Sequence, residues 1–354
     1  MAAEIRTFDI DILIDMDGYS NEGIAVRSLF ATRLAPITAT WFVYIATTGQ
    51  ENIDYIIADE NVLPPHVAVN HSERPFYMTP PFFPISHATL FSDTEVLDSV
   101  EENNKWRQRY GLGRVGEQFI FASFNKHLKI TPHVWESWML ILERVPNSVL
   151  LLLENPKDSI PNFRKYLAQS GLAPSRLKFC PFVNSSEEHI HRVAMVDVIL
   201  DTPPWGAHTG AADALWCAVP VVTTPNPTWD APADGSMQTM ASRVALSLLR
   251  SVGIDSLIGR NLLDYTVRFS FCSAHVRNIS VFNVCAQNIA VKLAEDSAWR
   301  ADLVSQLKES RSKALFSAST YATKFLRGLH QMYAEVAASV VDAPQDTGKA
   351  AADV

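Results

Sequence analysis

The sequence is poor in cysteine: Cys180, Cys217, Cys272 and Cys285 are the only four in 354 residues, and none stands in a Cys-x-x-Cys or Cys/His ligand spacing. That excludes a zinc-finger framework and a disulfide-stapled scaffold, and reads as free thiols in a reducing compartment. Long hydrophobic runs are missing too. Apolar stretches such as Val149 to Leu153 fall far short of the roughly 20 residues that cross a bilayer. The opening MAAEIRTFDIDILIDMDG has no basic segment leading into an apolar one, so no secretory signal is visible. Positive charge is not in excess: 30 Lys+Arg against 38 Asp+Glu give a formal net charge of -8, which argues against a general polyanion binder but leaves room for a local basic pocket. No period of roughly 20–50 residues repeats. Ser-His-Asp, G-x-S-x-G and P-loop patterns are absent as well. These absences predict a cytoplasmic or nuclear protein that partners neither nucleic acid nor membrane.

What remains is globular composition, 47% hydrophobic and 19% charged, in a chain long enough for two domains. From about Gln118 to Arg250, short β-rich apolar runs alternate with amphipathic stretches of helix length. The expected strands are Phe119 to Phe124, Val149 to Glu154, Arg176 to Pro181, Asp197 to Asp201 and Pro220 to Thr224. The expected helices are Thr131 to Val145, one within Ile160 to Ser170, Glu187 to Val196, Gly210 to Cys217 and Met240 to Leu249. That order predicts a doubly wound parallel α/β domain, in which ligands bind beyond the carboxyl ends of the strands.

The first hundred residues read as part of a second α/β domain. Its expected strands are Ile10 to Met16, Ala39 to Tyr44, Ile53 to Ala58 and Phe76 to Met78, with a helix near Gly23 to Ala31 and few helices between. The polar, acidic stretch Ser86 to Asn104 reads as the connection. After Asp296 two amphipathic segments follow, Trp299 to Leu315 and Thr320 to Ala337. The domain boundaries expected from this pattern are 1–85, 86–110 for the connection, 111–315, a helix over 316–340 and a disordered tail over 341–354.

Three segments carry candidate chemistry. The first, Asp201 to Trp216, runs from a strand end through a Pro/Gly turn into a helix whose N-terminus suits a phosphate. His208 and Thr209 add donors there, Gly210 permits close approach of an anion, and Asp213 can accept hydrogen bonds from ribose hydroxyls. Against this stands the plain alternative that Thr209 caps the helix and Asp213 complements its dipole. The second, Ser123 to Pro132, brings Lys126, His127 and Lys129 to the same sheet edge, where a cation can neutralise a departing diphosphate; a solvated basic turn is the alternative. In the third, Glu187 to Arg192, His189 and Arg192 share a helix face and can stack on and donate to a nucleobase, whereas His189 and His191 do not share one. Asp9/Asp11 and Asp15/Asp17 can each present two carboxylates on one strand face, as a metal site requires, but read better as strand-edge carboxylates in solvent.

In this order on such a sheet, these segments resemble the nucleotide half of the protein O-GlcNAc transferases. The likeness extends from about Asp11 to Tyr333. It rests on Asp11 to Tyr19, Leu34 to Ile37, Asp54 to Asp59, Lys129 to Pro132, Arg144 to Leu150 and Glu187 to His189. Asp197 to Pro203, His208-Thr209, Ala241 to Ala245 and Ile289 to Leu293 extend it. The resemblance implies a GT-B-like arrangement of two Rossmann-like domains, the second complete and the first shortened at its N-terminus. It implies an inverting, metal-independent transfer of N-acetylglucosamine from UDP-GlcNAc, a donor substrate and not a cofactor, to Ser/Thr of intracellular proteins. It also implies roles. Lys129 holds the pyrophosphate as it leaves, with Lys126 beside it. His189 and Arg192 read uracil, His208 and Thr209 bind the phosphates beside Gly210, and Asp213 binds ribose.

The sequence departs from the family in several places. The TPR repeats and the opening of the first catalytic domain, with the family's catalytic histidine, are not in this chain, so it is expected to be weak or inactive alone and to need a TPR-containing segment as partner. In the loop Trp41 to Gly49, Val43 and Ala46 replace glycines beside the sugar pocket. Ser186 stands where a ribose-contacting Lys is frequent, and Gly210-Ala211 replaces a Thr-Gly pair. Residues 226–238 and 267–287 read as insertions, the latter as an intron translated between Val267 and Gln287; a transcript that retains it refutes this. Two further readings stay open: a SPINDLY-type O-fucosyltransferase using GDP-fucose, and a non-catalytic nucleotide-sugar-binding remnant.

Overall fold

The computed structural model describes residues 1–20, 27–79, 81–232, 234–262, 264, 289–312 and 314–341. Its chain contacts form two compact units. One comprises Met1–Ala58, His71–Met78 and Ala322–Val354; the other comprises Asp59–Asn70 and Thr79–Tyr321. Among the described residues no helix is long and apolar enough to cross a membrane.

The first unit holds a parallel sheet of β1 (Ile12–Asp15), β2 (Ile37–Thr40), β3 (Tyr55–Ala58) and β4 (Arg74–Tyr77), in that spatial order. Every residue of β2 and β3 is buried, the pattern of strands covered on both faces. Among the described residues β1 pairs on one side only, with β2. The second expected strand, Ala39 to Tyr44, is corrected. β2 ends at Thr40, and Phe42 adopts a left-handed backbone (φ 88) that no strand continues through. The aromatic run that looked β-like is used for packing: Trp41 stacks on Phe325 of the C-terminal helix Ala318–Val341 at 4.5 Å, and Tyr44 meets Tyr19 edge-on at 5.3 Å. Residues 23–26 of the helix expected near Gly23 to Ala31 lie outside the described residues, and Arg27–Leu29 form a single 3-10 turn.

The second unit holds β5 (Phe119–Ser123), β6 (Ser148–Leu153), β7 (Leu177–Cys180), β8 (Val198–Leu200) and β9 (Val221–Val222), all parallel in the order β7-β6-β5-β8-β9. The helices that matter here are α1 (Val100–Arg109), α2 (Pro132–Arg144), α3 (Ile160–Gln169), α4 (Ser186–Ala194), α5 (Thr209–Trp216) and α6 (Val244–Ser251). This is the doubly wound topology expected. β6 is buried along its whole length because helices cover both its faces. Thr131 caps α2, accepting from the Val134 N–H at 3.3 Å, with Pro132 at the first helical position. The expected helix from Met240 opens as a 3-10 turn instead. There Thr239 and Ser242 form a reciprocal capping box, and α6 begins only at Val244.

The stretch read as a connection, Ser86 to Asn104, is largely helical (His87–Leu90, Thr94–Asp98 and the start of α1) and falls in the second unit. Charged residues line it, yet Arg107 at its far end is only 1% exposed. That guanidinium donates to the carbonyls of Met195, Arg114 and Gln118 and to Asp197 at 2.9 Å, so one polar side chain locks α1 to the sheet. The described residues of 226–238 form no helix or strand, and Gln238 donates to Asn226 at 3.1 Å. The segment 267–287 and the tail beyond Val341 lie outside the described residues.

Candidate nucleotide-binding site

The sheet order of the second unit reverses direction between β5 and β8, and this switch point is where an open parallel sheet binds its ligand. The chain leaves β5 into Asn125 to Lys129, and leaves β8 into the loop from Asp201 to His208. Asn125 donates to Thr202 Oγ1 at 2.9 Å, and Lys129 Nζ donates to the Gly206 carbonyl at 2.9 Å and reaches Asn125 Oδ1 at 3.4 Å. Two of the three candidate segments therefore meet.

Asp201 organises the second loop. It is fully buried and accepts from the backbone N–H of Thr202 (2.7 Å) and Ala207 (2.5 Å) and from the Thr223 hydroxyl (2.6 Å). Burial raises its pKa against the effect of those donors and of Lys129. Gly206 is required here: a Cβ on it would stand 2.9 Å from Asp201 Oδ2. Lys129 is half-buried. Desolvation lowers its pKa, the Asp201 carboxylate opposes that, and the neighbouring Lys126 adds to the lowering. Lys126 itself is exposed, and the Lys129 ammonium also lies 5.1 Å from the centre of the Trp205 ring. His127 is corrected. It is not a cation at this edge but a buried ring bonded to Ser159 at 2.5 Å and to the Leu153 carbonyl at 2.7 Å, its pKa lowered by burial.

Helix α5 begins at Thr209, with His208 as the N-cap residue and no side chain capping it, so the reading of Thr209 as a cap does not hold. The backbone N–H groups of Thr209 and Gly210 have no acceptor among the described residues, whereas Ala211 and Ala212 bond to the His208 carbonyl. Thr209 is exposed and Gly210 half-buried. A Cβ on Gly210 would meet open space. The result is a helix N-terminus with two unengaged N–H groups, the kind of end that suits an anion, and the Lys129 charge is near enough to act on the adjacent His208. His208 is engaged by protein groups in this structure. Burial first, then the Lys129 charge, lower its pKa to about 4, so the ring is neutral near pH 7. Its Nε2–H is engaged by the Ala241 carbonyl at 3.1 Å. The groups left to donate at this helix end are the two backbone N–H groups and the Thr209 hydroxyl.

The third segment joins the first through Asp213. His189 Nε2 lies 3.2 Å from Asp213 Oδ2, and His189 Nδ1 accepts from Arg192 Nη2 at 2.6 Å. Arg192 is 2% exposed, donates to the Pro181 carbonyl at 2.8 Å and covers the Phe124 ring at 4.8 Å. Its Nε has no partner among the described residues. The guanidinium expected to read a base is thus held by protein groups in this structure. His191 points away and stacks on Trp106, as its helix register requires. Burial pushes the Asp213 carboxyl up, but bonds from His189 and from His87 (Nε2 to Oδ1, 2.7 Å) hold it below the usual range. Sequence reasoning missed His87, Asp201 as the loop's anchor, and the Ala241 carbonyl. Asp201 was visible as the last residue of an apolar strand; for the other two no local pattern exists.

Of the acidic pairs near the start of the chain, Asp15 is 3% exposed, not a solvent-facing carboxylate. Its Oδ1 accepts from the N–H groups of Asp17 (3.1 Å) and Gly18 (2.9 Å), closing the turn after β1. Among the described residues no group of three or more His, Cys, Asp or Glu is placed to hold a metal ion. The loop Trp41 to Gly49 is pinned by the buried Glu73, which accepts from the Thr47 hydroxyl (2.8 Å), the Thr48 N–H (2.6 Å) and the Thr48 hydroxyl.

Two parallel α/β units, the second doubly wound, are the architecture of the GT-B class of glycosyltransferase fold. Solved structures carry the likeness. An O-GlcNAc transferase mutant from Thermobaculum terrenum superposes with a TM-score of 0.72 at 24% identity, over 96% of this chain and 56% of that one. Anabaena HepE in complex with UDP and glucose gives 0.55 at 14% identity, over 93% and 80%. The glycosyl transferase family 41 model matches residues 1–109 and 103–279, and the chain belongs to that family. The probable UDP-N-acetylglucosamine--peptide N-acetylglucosaminyltransferase SEC of Arabidopsis thaliana is 36% identical over 266 residues, covering 75% of this chain and 25% of the relative. The UDP-N-acetylglucosamine--peptide N-acetylglucosaminyltransferase of Caenorhabditis elegans is 27% identical over 381 residues, covering 78% and 32%. A probable enzyme of the same name, SPINDLY of Arabidopsis thaliana, is 31% identical over 271 residues, covering 75% and 26%. The chain thus spans between a quarter and a third of the length of these relatives.

Proposed function

We propose that this chain carries the donor-binding part of a transferase that moves N-acetylglucosamine from UDP-GlcNAc to Ser/Thr hydroxyls of proteins in the cytoplasm or nucleus, with inversion and without a metal. The observation that supports it most is the uncapped N-terminus of α5, with two unengaged N–H groups beside Lys129. In this reading the diphosphate sits on the Thr209 and Gly210 N–H groups and the Thr209 hydroxyl. Lys129, flanked by Lys126, neutralises the charge that builds on the leaving oxygen as the C1–O bond breaks. The neutral His208 shapes the pocket through its bond to Ala241. His189 and Arg192 take the base, and Asp213 takes the ribose. The UDP in the relatives' names and in the HepE complex supports uracil as the base.

The test is calorimetric titration with UDP and GDP of the wild-type chain and of Lys129→Ala. Loss of a charge-assisted hydrogen bond is expected to cost roughly 1.5–3 kcal/mol of UDP affinity. An unchanged affinity in the folded variant would sink the assignment of Lys129, and tighter binding of GDP than UDP would favour a GDP-fucose donor.

A further inference from the structure

His87 has no role in the reading above, yet it is built into the site. It opens the short helix His87–Leu90, and 11% of its side chain is exposed. Its ring sits among Phe91, Trp216 and Phe316, with centroids 5.6, 6.2 and 6.1 Å away. An apolar ring would fill that space without leaving a buried nitrogen unmatched, and Nδ1 of His87 has no partner among the described residues. Among the described residues the ring's one polar contact is Nε2 to Asp213 Oδ1 at 2.7 Å.

We infer that His87 is a positioning residue that holds the Asp213 carboxylate in the orientation that distinguishes a ribonucleotide from its 2′-deoxy counterpart. The inference rests on the proposed binding of a nucleotide diphosphate to the second unit. A guanidinium is donor-only, so the nitrogen of His189 that faces Arg192 carries no proton and its Nε2 does. Asp213 therefore receives one ring N–H on each oxygen, from His87 on Oδ1 and His189 on Oδ2. Two donors on different oxygens stop rotation about the Cβ–Cγ bond. Each oxygen keeps a further lone pair, and 15% of the side chain is open to solvent. Neighbouring 2′- and 3′-hydroxyls can donate to two carboxylate oxygens at once only while the carboxylate plane is fixed. Without His87 the group pivots on its single contact with His189, and the second hydroxyl loses its acceptor.

The experiment measures UDP and 2′-deoxy-UDP affinities of the whole chain by calorimetry, for the wild type, His87→Phe and His87→Gln. The wild type is expected to prefer UDP about tenfold or more, the size of one hydrogen bond to a charged group. In His87→Phe, UDP weakens while 2′-deoxy-UDP changes little, so the preference collapses; in His87→Gln the amide donor restores it in part. A packing role alone would weaken both ligands equally and leave the ratio intact, which overturns the inference. A readout without variants is the histidine ¹⁵N spectrum of the wild type. UDP should shift the His87 Nε2 signal and 2′-deoxy-UDP should not; equal shifts overturn the inference. A wild-type chain that binds neither nucleotide overturns the proposed function and this inference with it. One that binds UDP without preferring it overturns the inference alone.

Discussion

The tightest point in the candidate site is Gly206, and replacing it by alanine tests how the loop is held. The added Cβ would lie 2.9 Å from Asp201 Oδ2, 3.3 Å from Oδ1 and 3.4 Å from the Ala241 carbonyl. The carboxylate cannot retreat, because it is fully buried and bound by Thr202, Ala207 and Thr223. The loop must move instead. The moving residue donates its own N–H to Ala241 at 3.2 Å and accepts from Lys129 on its carbonyl. Insertion of a methyl group into packed surroundings costs typically 1–3 kcal/mol, read as a lower urea midpoint at unchanged slope. Because the same shift displaces the anchor of Lys129 and the lead-in to α5, UDP affinity is expected to fall about tenfold or more, or roughly 1.4 kcal/mol. Gly210→Ala is the control. Its Cβ meets nothing within 4 Å, and alanine is the better helix former by roughly 0.8–1 kcal/mol, so stability should hold or rise. A Gly206→Ala chain with wild-type urea midpoint and wild-type UDP affinity would refute the reasoning.

Two further outcomes follow from buried polar groups. Arg107→Leu leaves the half-buried Asp197, 16% of its side chain exposed, without its ion-pair partner and is expected to cost about 3 kcal/mol in a urea titration, with part recovered in the double variant Arg107→Leu/Asp197→Asn; a loss below about 1 kcal/mol would count against the lock between α1 and the sheet. The His208 ring, with a pKa of about 4 in the fold, gains its proton near pH 6.5 when unfolded. Between these values the unfolded chain binds more protons, so stability falls as pH drops from about 6.5 toward 4, by up to roughly 3 kcal/mol. Urea titrations across that window should show the slope weakened in His208→Gln, and an identical slope in both proteins would contradict a neutral, buried ring.

Much of the second unit was legible because its strands are apolar throughout and its helices carry their own start signals, such as Thr131-Pro132 before α2. The helix after the Pro/Gly turn at Asp201 to Gly210 was legible for the same reason, since turn residues act locally. Contacts made across the fold were not. His87 meets Asp213 across 126 positions, and periodicity carries no information at that range. His127 looked like a surface cation beside two lysines, but the turn directs it inward onto Leu153 and Ser159, where burial lowers its pKa. Trp41, Phe42 and Tyr44 have strand propensity, and packing against Phe325 and Tyr19 overrode it. The family resemblance named His208 as a phosphate donor; the bond to Ala241 that engages its proton comes from a segment thirty-three residues away.

The most direct measurement compares UDP with uridine by calorimetry, on a chain shown to be folded by a cooperative urea transition. If the α5 N-terminus and Lys129 hold a diphosphate, UDP binds at least about a hundredfold tighter than uridine, since two charge-assisted contacts together are worth roughly 3 kcal/mol or more. Equal affinities for UDP and uridine, or no binding of either, would contradict the site described at the switch point.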